Sequence, residues 1–254
     1  MKHYGKICTL MYDLDKPVVP EVDLEFYLNY VEEAKGPILQ AMVGTGRFAL
    51  PLMEKGFKID GVDASTDMLA KYRRVCKERG FDANIYENTL AEMELPELYA
   101  LIFITSGSFS LITDDEEISR SLANINRHLL PGGSFVFEVS EYYEAHKLDH
   151  YWNGKWLKSP EGEIVLQSVV QNDQDRNSDI MHSLLRYELI KDGRLMDTEF
   201  LEFSLKYHNK GGDTLKPLLE EHGFEEVIYY NSYNKIYDKD KKDFNLIVEC
   251  RKKQ

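Results

Sequence analysis

Three residues in the first quarter of the chain have the type and spacing to hold a nucleoside: Gly44, Gly46 and Asp63. A glycine turn at a helix N-terminus lets backbone N–H groups approach a ligand, where the helix dipole favours negative charge. A carboxylate ending the next strand, roughly 20 residues after the glycines, is placed to accept hydrogen bonds from a ribose hydroxyl pair. The chemistry indicated is the binding of a nucleoside-containing cofactor, and this stretch alone leaves its identity open. Other reactive residue types do not gather. There is no G-x-S-x-G nucleophile motif, and no histidine–carboxylate group has metal-ligand spacing, so no metal is expected. His146 and His150, in an aromatic-dense stretch over 140–158, offer a general base if an acceptor must lose a proton. The competing reading of that stretch is a solvated linker helix whose aromatics cover the core.

The elements that must position these residues follow from periodicity. Ile38–Val43 is an apolar strand, Gly44–Gly46 a turn, the segment through Met53 a helix, and a second strand ends on Asp63. Such βαβ units build parallel sheets. Pro51 sits in the first turns of that helix, where proline is tolerated. Ser65 is a candidate N-cap for a helix over 66–79, whose Met68, Leu69, Tyr72 and Val75 share one face and which Gly80 ends. Ala83–Tyr86 reads as a third strand, and Tyr99–Ile104, a continuous apolar run, as a fourth, buried on both faces. That run empties into Thr105-Ser106-Gly107-Ser108. Asp114 and Asp115 start a helix reaching Leu130, and Pro131-Gly132-Gly133 turns into a fifth strand, Ser134–Val139.

Around this frame, residues 1–20 read as irregular, and Asp23 as the cap of a helix ended by Gly36-Pro37. Glu163–Val170, Ile180–Ile190 and Leu195–Tyr207 read as antiparallel strands, with Asn172-Asp173 in one turn and Asp192-Gly193 as a hairpin signal in another. Thr214–His222 is a short helix, and Val227–Tyr230 and Phe244–Arg251 finish as an antiparallel pair at a sheet edge.

Composition narrows the partners. The 254 residues are 43% hydrophobic and 30% charged, as in ordinary globular proteins. A formal net charge of −13 argues against nucleic acid or an anionic membrane as main partner. The three cysteines, Cys8, Cys76 and Cys250, have no CxxC spacing and suit free thiols in a reducing cytosol. Neither a signal-peptide core nor a bilayer-length apolar run is present, so a cytoplasmic location is expected.

In this order of elements the chain resembles the class I S-adenosylmethionine-dependent methyltransferases, small-molecule type, with a β-rich insertion after the fifth strand. VGTGRFALPL, GVDASTDML, LLPGGSFVFEV and LLEEHGFEEV carry the resemblance through their order and spacing. It implies an α/β fold: a Rossmann-like, doubly wound, seven-stranded sheet with a small antiparallel β insertion. It also implies a cofactor-binding domain over 1–139 and 208–254, and an acceptor-side cap over 140–207. S-adenosyl-L-methionine is the implied cofactor. Gly44 and Gly46 would pack against its methionine and ribose portions, and Asp63 would take both ribose hydroxyls. Ala64 and Met68 would border the adenine, with Thr89 and Leu90, or Ala91, opposite. Gln40 would accept from the ammonium, and Ser106 would sit beside the sulfonium and the acceptor. Tyr12, Tyr27 and the insertion strands are expected to close over the cofactor and shape the acceptor pocket.

Three positions depart from the family pattern: Gln40 replaces an acidic residue, Met42 the first glycine of the turn, and Ala100 an aspartate. No catalytic acid or base is assigned, because methyl transfer from a sulfonium needs mainly positioning. The expected partners are a small-molecule methyl acceptor and at most a second copy of the chain, as a homodimer. Two competing functions are a non-catalytic binding protein of the same fold, suggested by the three departures, and an NAD-dependent oxidoreductase. The second rests on residues 44–49 also fitting G-x-G-x-x-A; the Pro131-Gly132-Gly133 turn and the closing strand pair weigh towards methyl transfer.

Overall fold

The computed structural model describes residues 4–141, 153–172, 179–208, 213–237 and 245–254. Two helices lead in, α1 (Lys6–Asp15) and α2 (Glu21–Glu33). Alternating elements follow: β1 (Ile38–Ala41), α3 (Ala49–Glu54), β2 (Asp60–Asp63), α4 (Thr66–Arg79), β3 (Ile85–Glu87), β4 (Tyr99–Ile104), a 3-10 turn at Ser108–Leu111, α5 (Asp115–His128) and β5 (Leu129–Glu141). Then come β6 (Asn153–Lys158), β7 (Ile164–Asn172), β8 (Ile180–Lys191) and β9 (Arg194–His208), and finally α6 (Leu215–Glu221), β10 (Phe224–Tyr230) and β11 (Asn245–Lys252).

Seven strands form a sheet in the order β3-β2-β1-β4-β5-β11-β10, parallel except for the antiparallel pairings of β11 with β5 and β10. All four residues of β1 are buried, as an internal parallel strand covered on both faces requires. Separate apolar clusters occupy the two faces. One gathers α5 and α6 around Ile102, Ile104 and Phe135; the other gathers α2, α3 and α4 around Ile38, Leu101 and Phe103. The sheet is therefore doubly wound, as expected.

Local signals act where the sequence places them. Ser65 Oγ accepts the Met68 N–H at 3.2 Å, and Gly80, at φ 70°, closes α4. Asp114 caps α5 through the Glu117 N–H at 2.8 Å. Pro51 falls in the first turn of α3, where its missing donor has no helical partner to lose. Asp192 and Gly193, at φ 50° and 71°, make the tight turn between β8 and β9.

Four expectations are corrected. Residues 1–20 are not irregular throughout, since 6–15 form α1. Its N-terminus is capped from far away: Glu199 on β9 accepts the Gly5 and Ile7 N–H groups at 3.0 and 2.9 Å. Its Ile7, Cys8 and Met11 bury against Val165, Leu185, Tyr187 and Leu201 of the antiparallel strands. Helix α2 begins at Glu21 rather than after an Asp23 cap, with Pro20 at its N-cap position. Residues 153–158 are the strand β6, paired to β7, not part of a linker helix. Strand β11 is internal, between β5 and β10, leaving only β10 at the edge. His146, His150, Trp152, Asp173 and the remaining aromatics of 142–152 lie outside the described residues.

The antiparallel strands β6–β9 continue from β5. Strand β11 follows β5 along one edge as far as Ser140, whereas β4 leaves the other edge at Phe137. There β9 takes over, pairing Tyr207 with Ser140 and His208 with Glu141. This brings the inner face of β7–β9 beside the Ser106–Leu111 segment that follows β4.

Candidate functional site

In an open parallel sheet, a crevice forms where neighbouring strands send their connections to opposite faces, and ligands bind at the strands' C-terminal ends there. Here that point lies between β1 and β4, which pair with each other while β1 also pairs with β2. A cavity opens at this place. Gln40, Met42 and Gly44 line it from the end of β1, Asp63, Ala64 and Met68 from β2 and α4, and Asn88, Thr89 and Leu90 from the segment after β3. Thr105, Ser108 and Ile112, beyond β4, close the far side, with Tyr4 and Tyr12 above.

Asp63 is fixed by two backbone donors. Its Oδ2 accepts the Gly44 N–H and its Oδ1 the Ser65 N–H, each at 2.8 Å. These bonds tie the glycine turn to the start of α4 and hold the carboxylate at the cavity wall. Gly44 takes φ 58°, and a Cβ there would lie 3.2 Å from Met68 Sδ. Glycine thus keeps both the left-handed turn and the Met68 contact.

Gln40 is 2% exposed. Its Nε2 reaches Thr105 Oγ1 at 3.4 Å, while its Oε1 is buried and has no partner among the described residues. An orphaned buried acceptor costs about 1–3 kcal/mol and so marks a place for a donor. Met42 adopts φ 53°, the left-handed conformation glycine prefers, at a cost of about 1–2 kcal/mol. The turn therefore keeps a glycine-like backbone with a side chain on the cavity wall. Ala100 belongs elsewhere. It sits at the start of β4, beside Pro131-Gly132-Gly133 at the opposite end of the sheet, so that departure does not touch the site.

Two expected residues stand outside this cavity, and one expectation is overturned. Gly46 packs inward: at φ 83°, a Cβ would meet the Tyr72 ring at 2.3 Å. Ser106 lines a second, adjoining cavity. Tyr27 does not close over the site; it is fully buried behind the sheet and donates to Glu138 at 2.6 Å. Tyr12 lines both cavities.

The second cavity, ≈ 420 Å³, lies between α1, the Ser106–Ser108 turn and the inner face of β7–β9. Met181, Leu185, Phe203 and Leu205 give it an apolar wall, and Gln167 and Tyr187, joined at 3.2 Å, a polar one. Lys155, Asp15 and Lys16 stand at its rim, the first two paired at 2.6 Å. It shares Tyr4, Tyr12, Ser108 and Leu111 with the first cavity.

Arg47 is the functional candidate the sequence reading missed. Its guanidinium donates to Ser106 Oγ at 2.7 Å, lies 4.8 Å from the Phe48 ring centroid and 5.9 Å from that of Tyr12, and lines the first cavity. Its Nε is buried without a partner among the described residues. Burial raises the Tyr12 hydroxyl's pKa, and Arg47 opposes that rise. The only sequence signal for Arg47 is its place directly after Gly46. Among the described residues no group of three or more His, Cys, Asp or Glu side chains could hold a metal.

Comparisons with known proteins agree with this geometry. The family model described as "Methyltransferase domain" matches residues 38–133, the span holding β1 to the start of β5. A relative from a Geobacillus strain, described as a methyltransferase, is 25% identical over 136 residues, and the match spans 54% of this chain and 54% of that relative's length. A glycine/sarcosine N-methyltransferase of Aphanothece halophytica is 22% identical over 233 residues, covering 88% of this chain and 80% of its own. An S-adenosylmethionine-dependent methyltransferase of Clostridium acetobutylicum shares the fold at TM-score 0.76 and 18% identity, over 99% of both chains. With the strand order β3-β2-β1-β4-β5-β11-β10 and the crevice above β1 and β4, residues 38–133 match a methyltransferase domain, and the chain has the fold of the S-adenosylmethionine-dependent methyltransferases.

Proposed function

We propose that the chain transfers a methyl group from S-adenosyl-L-methionine to a small-molecule amine. The observation that carries this reading is the meeting of two cavities at the β1/β4 crevice, sharing Tyr4, Tyr12, Ser108 and Leu111 as a common wall. One has the furniture for a nucleoside and an amino acid, the other a mixed apolar and polar lining suited to an acceptor.

The residues present fit the cofactor. Gln40 offers a buried acceptor for its ammonium, without the charge an acidic residue would add. Asp63, held by Gly44 and Ser65, faces the ribose hydroxyls. Gly44 admits the ligand close to backbone, while Gly46 acts indirectly by letting Tyr72 pack beneath the turn. Ala64, Met68, Thr89 and Leu90 form the adenine slot, and Ser106, in the lining of the acceptor cavity, is held by Arg47 from the cofactor cavity.

When bound, the cofactor would supply an electrophilic sulfonium methyl carbon, open to in-line attack by the acceptor's lone pair with the thioether as leaving group. The chain's part is to align the two reactants and exclude water, which supplies much of the barrier reduction in such a transfer. The Met181–Leu205 wall does the excluding. Gln167 and Tyr187 give the acceptor polar contacts. An amine is favoured over other acceptors because the relative aligned along most of the chain is named for glycine and sarcosine. The amine enters neutral and loses its proton to solvent after transfer.

The division into a cofactor domain over 1–139 with 208–254, and an acceptor-side cap over 140–207, belongs to this reading. So does a cytoplasmic location, supported by three buried free thiols. Among the described residues no helix is long and apolar enough to cross a membrane. Incubation with S-adenosylmethionine and a panel of small amines, read by mass spectrometry, tests the proposal. A singly methylated amine product supports it. A protein that binds S-adenosylmethionine yet methylates no amine favours the non-catalytic reading, for which Met42 and Gln40 are the motivating residues.

A further inference from the structure

The two cavities differ in the sign of their charge. Among the described residues, the charged side chains lining the first are Asp63, Glu117 and Arg47, which leaves one net negative charge. Those lining the second are Asp15, Lys16 and Lys155, which leaves one net positive charge. In a chain of net charge −13 a positive cavity runs against the average. Walls of low dielectric constant focus such a charge on whatever enters. S-adenosylmethionine, with a sulfonium, an ammonium and a carboxylate, carries one net positive charge and so matches the first cavity. The second suits an anion.

Lys16 is the cation left over. Asp15, beside it in the chain, is taken by Lys155 at 2.6 Å, and Lys16 makes no ion pair among the described residues. Its Nζ lies 5.2 Å from the centroid of the Tyr12 ring, and the Arg47 guanidinium lies 5.9 Å from the same centroid. Arg47 donates to Ser106 Oγ, a neutral group, rather than to a carboxylate. Two cations on one ring repel each other, more strongly beside cavity walls than in open water. An anion entering the second cavity relieves that repulsion. Because Tyr12 lines both cavities, an anion held by Lys16 lies close to the junction where the reacting nitrogen must sit.

We propose that the acceptor is an amine carrying a carboxylate, and that Lys16 is the residue that selects it. The amine rests on the methyltransferase reading; the anion site rests on the charges of the second cavity. A carboxylate suits it better than a phosphate ester. The reacting amine is neutral and the excess to be matched is a single charge, whereas a phosphate ester carries about 1.5 to 2. Gln167 and Tyr187 then meet the remaining polar groups, and the Met181–Leu205 wall meets the carbon chain.

The experiment pairs glycine, β-alanine and 4-aminobutyrate with their amides and adds 2-aminoethyl phosphate. Each is offered to the full wild-type chain, to Lys16→Gln and to Lys16→Arg. Binding is read by calorimetric titration with the demethylated cofactor present, and turnover by mass spectrometry with S-adenosylmethionine. In the wild type at least one acid should bind about tenfold more tightly than its amide, the lower end for a bond to a charged group because Lys16 stands at an open rim. Lys16→Gln should abolish the difference between acid and amide, and Lys16→Arg should restore it. The proposal is overturned by the absence of any acid that binds better than its amide, or by a preference that survives Lys16→Gln. A loss in Lys16→Gln shared equally by acid and amide marks a structural role and overturns it too, as does tighter binding of the phosphate than of every carboxylate. Acid binding that Lys16→Gln abolishes, with no methylated product from the wild type, keeps the anion site while the methyltransferase reading fails. Methylation of amides as readily as acids does the reverse.

Discussion

Replacing Asp63 by alanine tests the ribose assignment. The carboxylate lines the cavity and is oriented by the Gly44 and Ser65 N–H groups at 2.8 Å each. Two bonds from a ribose to a charged acceptor are worth roughly 1.5–3 kcal/mol apiece. Water entering the space left by the side chain recovers part of this, so about 3 kcal/mol is expected, or roughly a hundredfold weaker binding. The turn also loses its tie to α4, but both N–H groups can turn to water in the opened cavity, so the fold should survive. Calorimetric titration with S-adenosylmethionine and with its demethylated product measures the effect, and a thermal melt checks the fold. Both ligands carry the ribose, so both should weaken alike. A folded Asp63→Ala protein binding within about threefold of the wild type, where about a hundredfold is expected, would refute the role.

Three more outcomes follow from particular contacts. Gly46→Ala forces a side chain at φ 83° and 2.3 Å from the Tyr72 ring; it should cost about 2–4 kcal/mol in urea unfolding, from overpacking and strain together, and a cost under about 1 kcal/mol contradicts the packing. Gln40→Glu places a charge where the Oε1 now lacks a partner; the free protein should melt lower and the shift on adding S-adenosylmethionine should grow, whereas an unchanged shift contradicts the ammonium assignment. His208 is 4% exposed, and burial, aided by Lys206, lowers its pKa to about 4. The unfolded chain therefore binds the extra proton between pH 6.5 and about 4. Its contribution to stability is present above pH 6.5 and is lost as the pH falls through that window, by on the order of 3 kcal/mol. His208→Gln should flatten that part of the pH–stability curve, and an unaltered slope contradicts the burial argument.

The central frame was legible because local signals and tertiary structure agree there. Tyr99–Ile104 is a strand by its apolar run alone, and α4 has its serine cap, its apolar face and its glycine stop. The helix α1 was hidden because its cap, Glu199, comes from a strand far along the chain and its buried Ile7, Cys8 and Met11 pack on the equally distant antiparallel strands. Strand β6 was masked by the aromatics around it. At the site, Gly44 and Asp63 could be paired from spacing, since a single short helical crossover, α3, joins the two parallel strands that carry them. The structure separates two glycines that spacing treats alike: Gly44 meets the cavity and Gly46 meets Tyr72. Arg47 was invisible because it draws its significance from Ser106, which it does not adjoin in sequence. The departure at Met42 reads as a loss in sequence, yet the backbone there retains the left-handed turn.

The most direct measurement is a calorimetric titration of the wild-type chain with S-adenosylmethionine and, separately, with NAD. Saturable one-to-one binding of S-adenosylmethionine, with no comparable heat from NAD, is the outcome the site predicts. Tight binding of NAD, or of neither ligand, contradicts it.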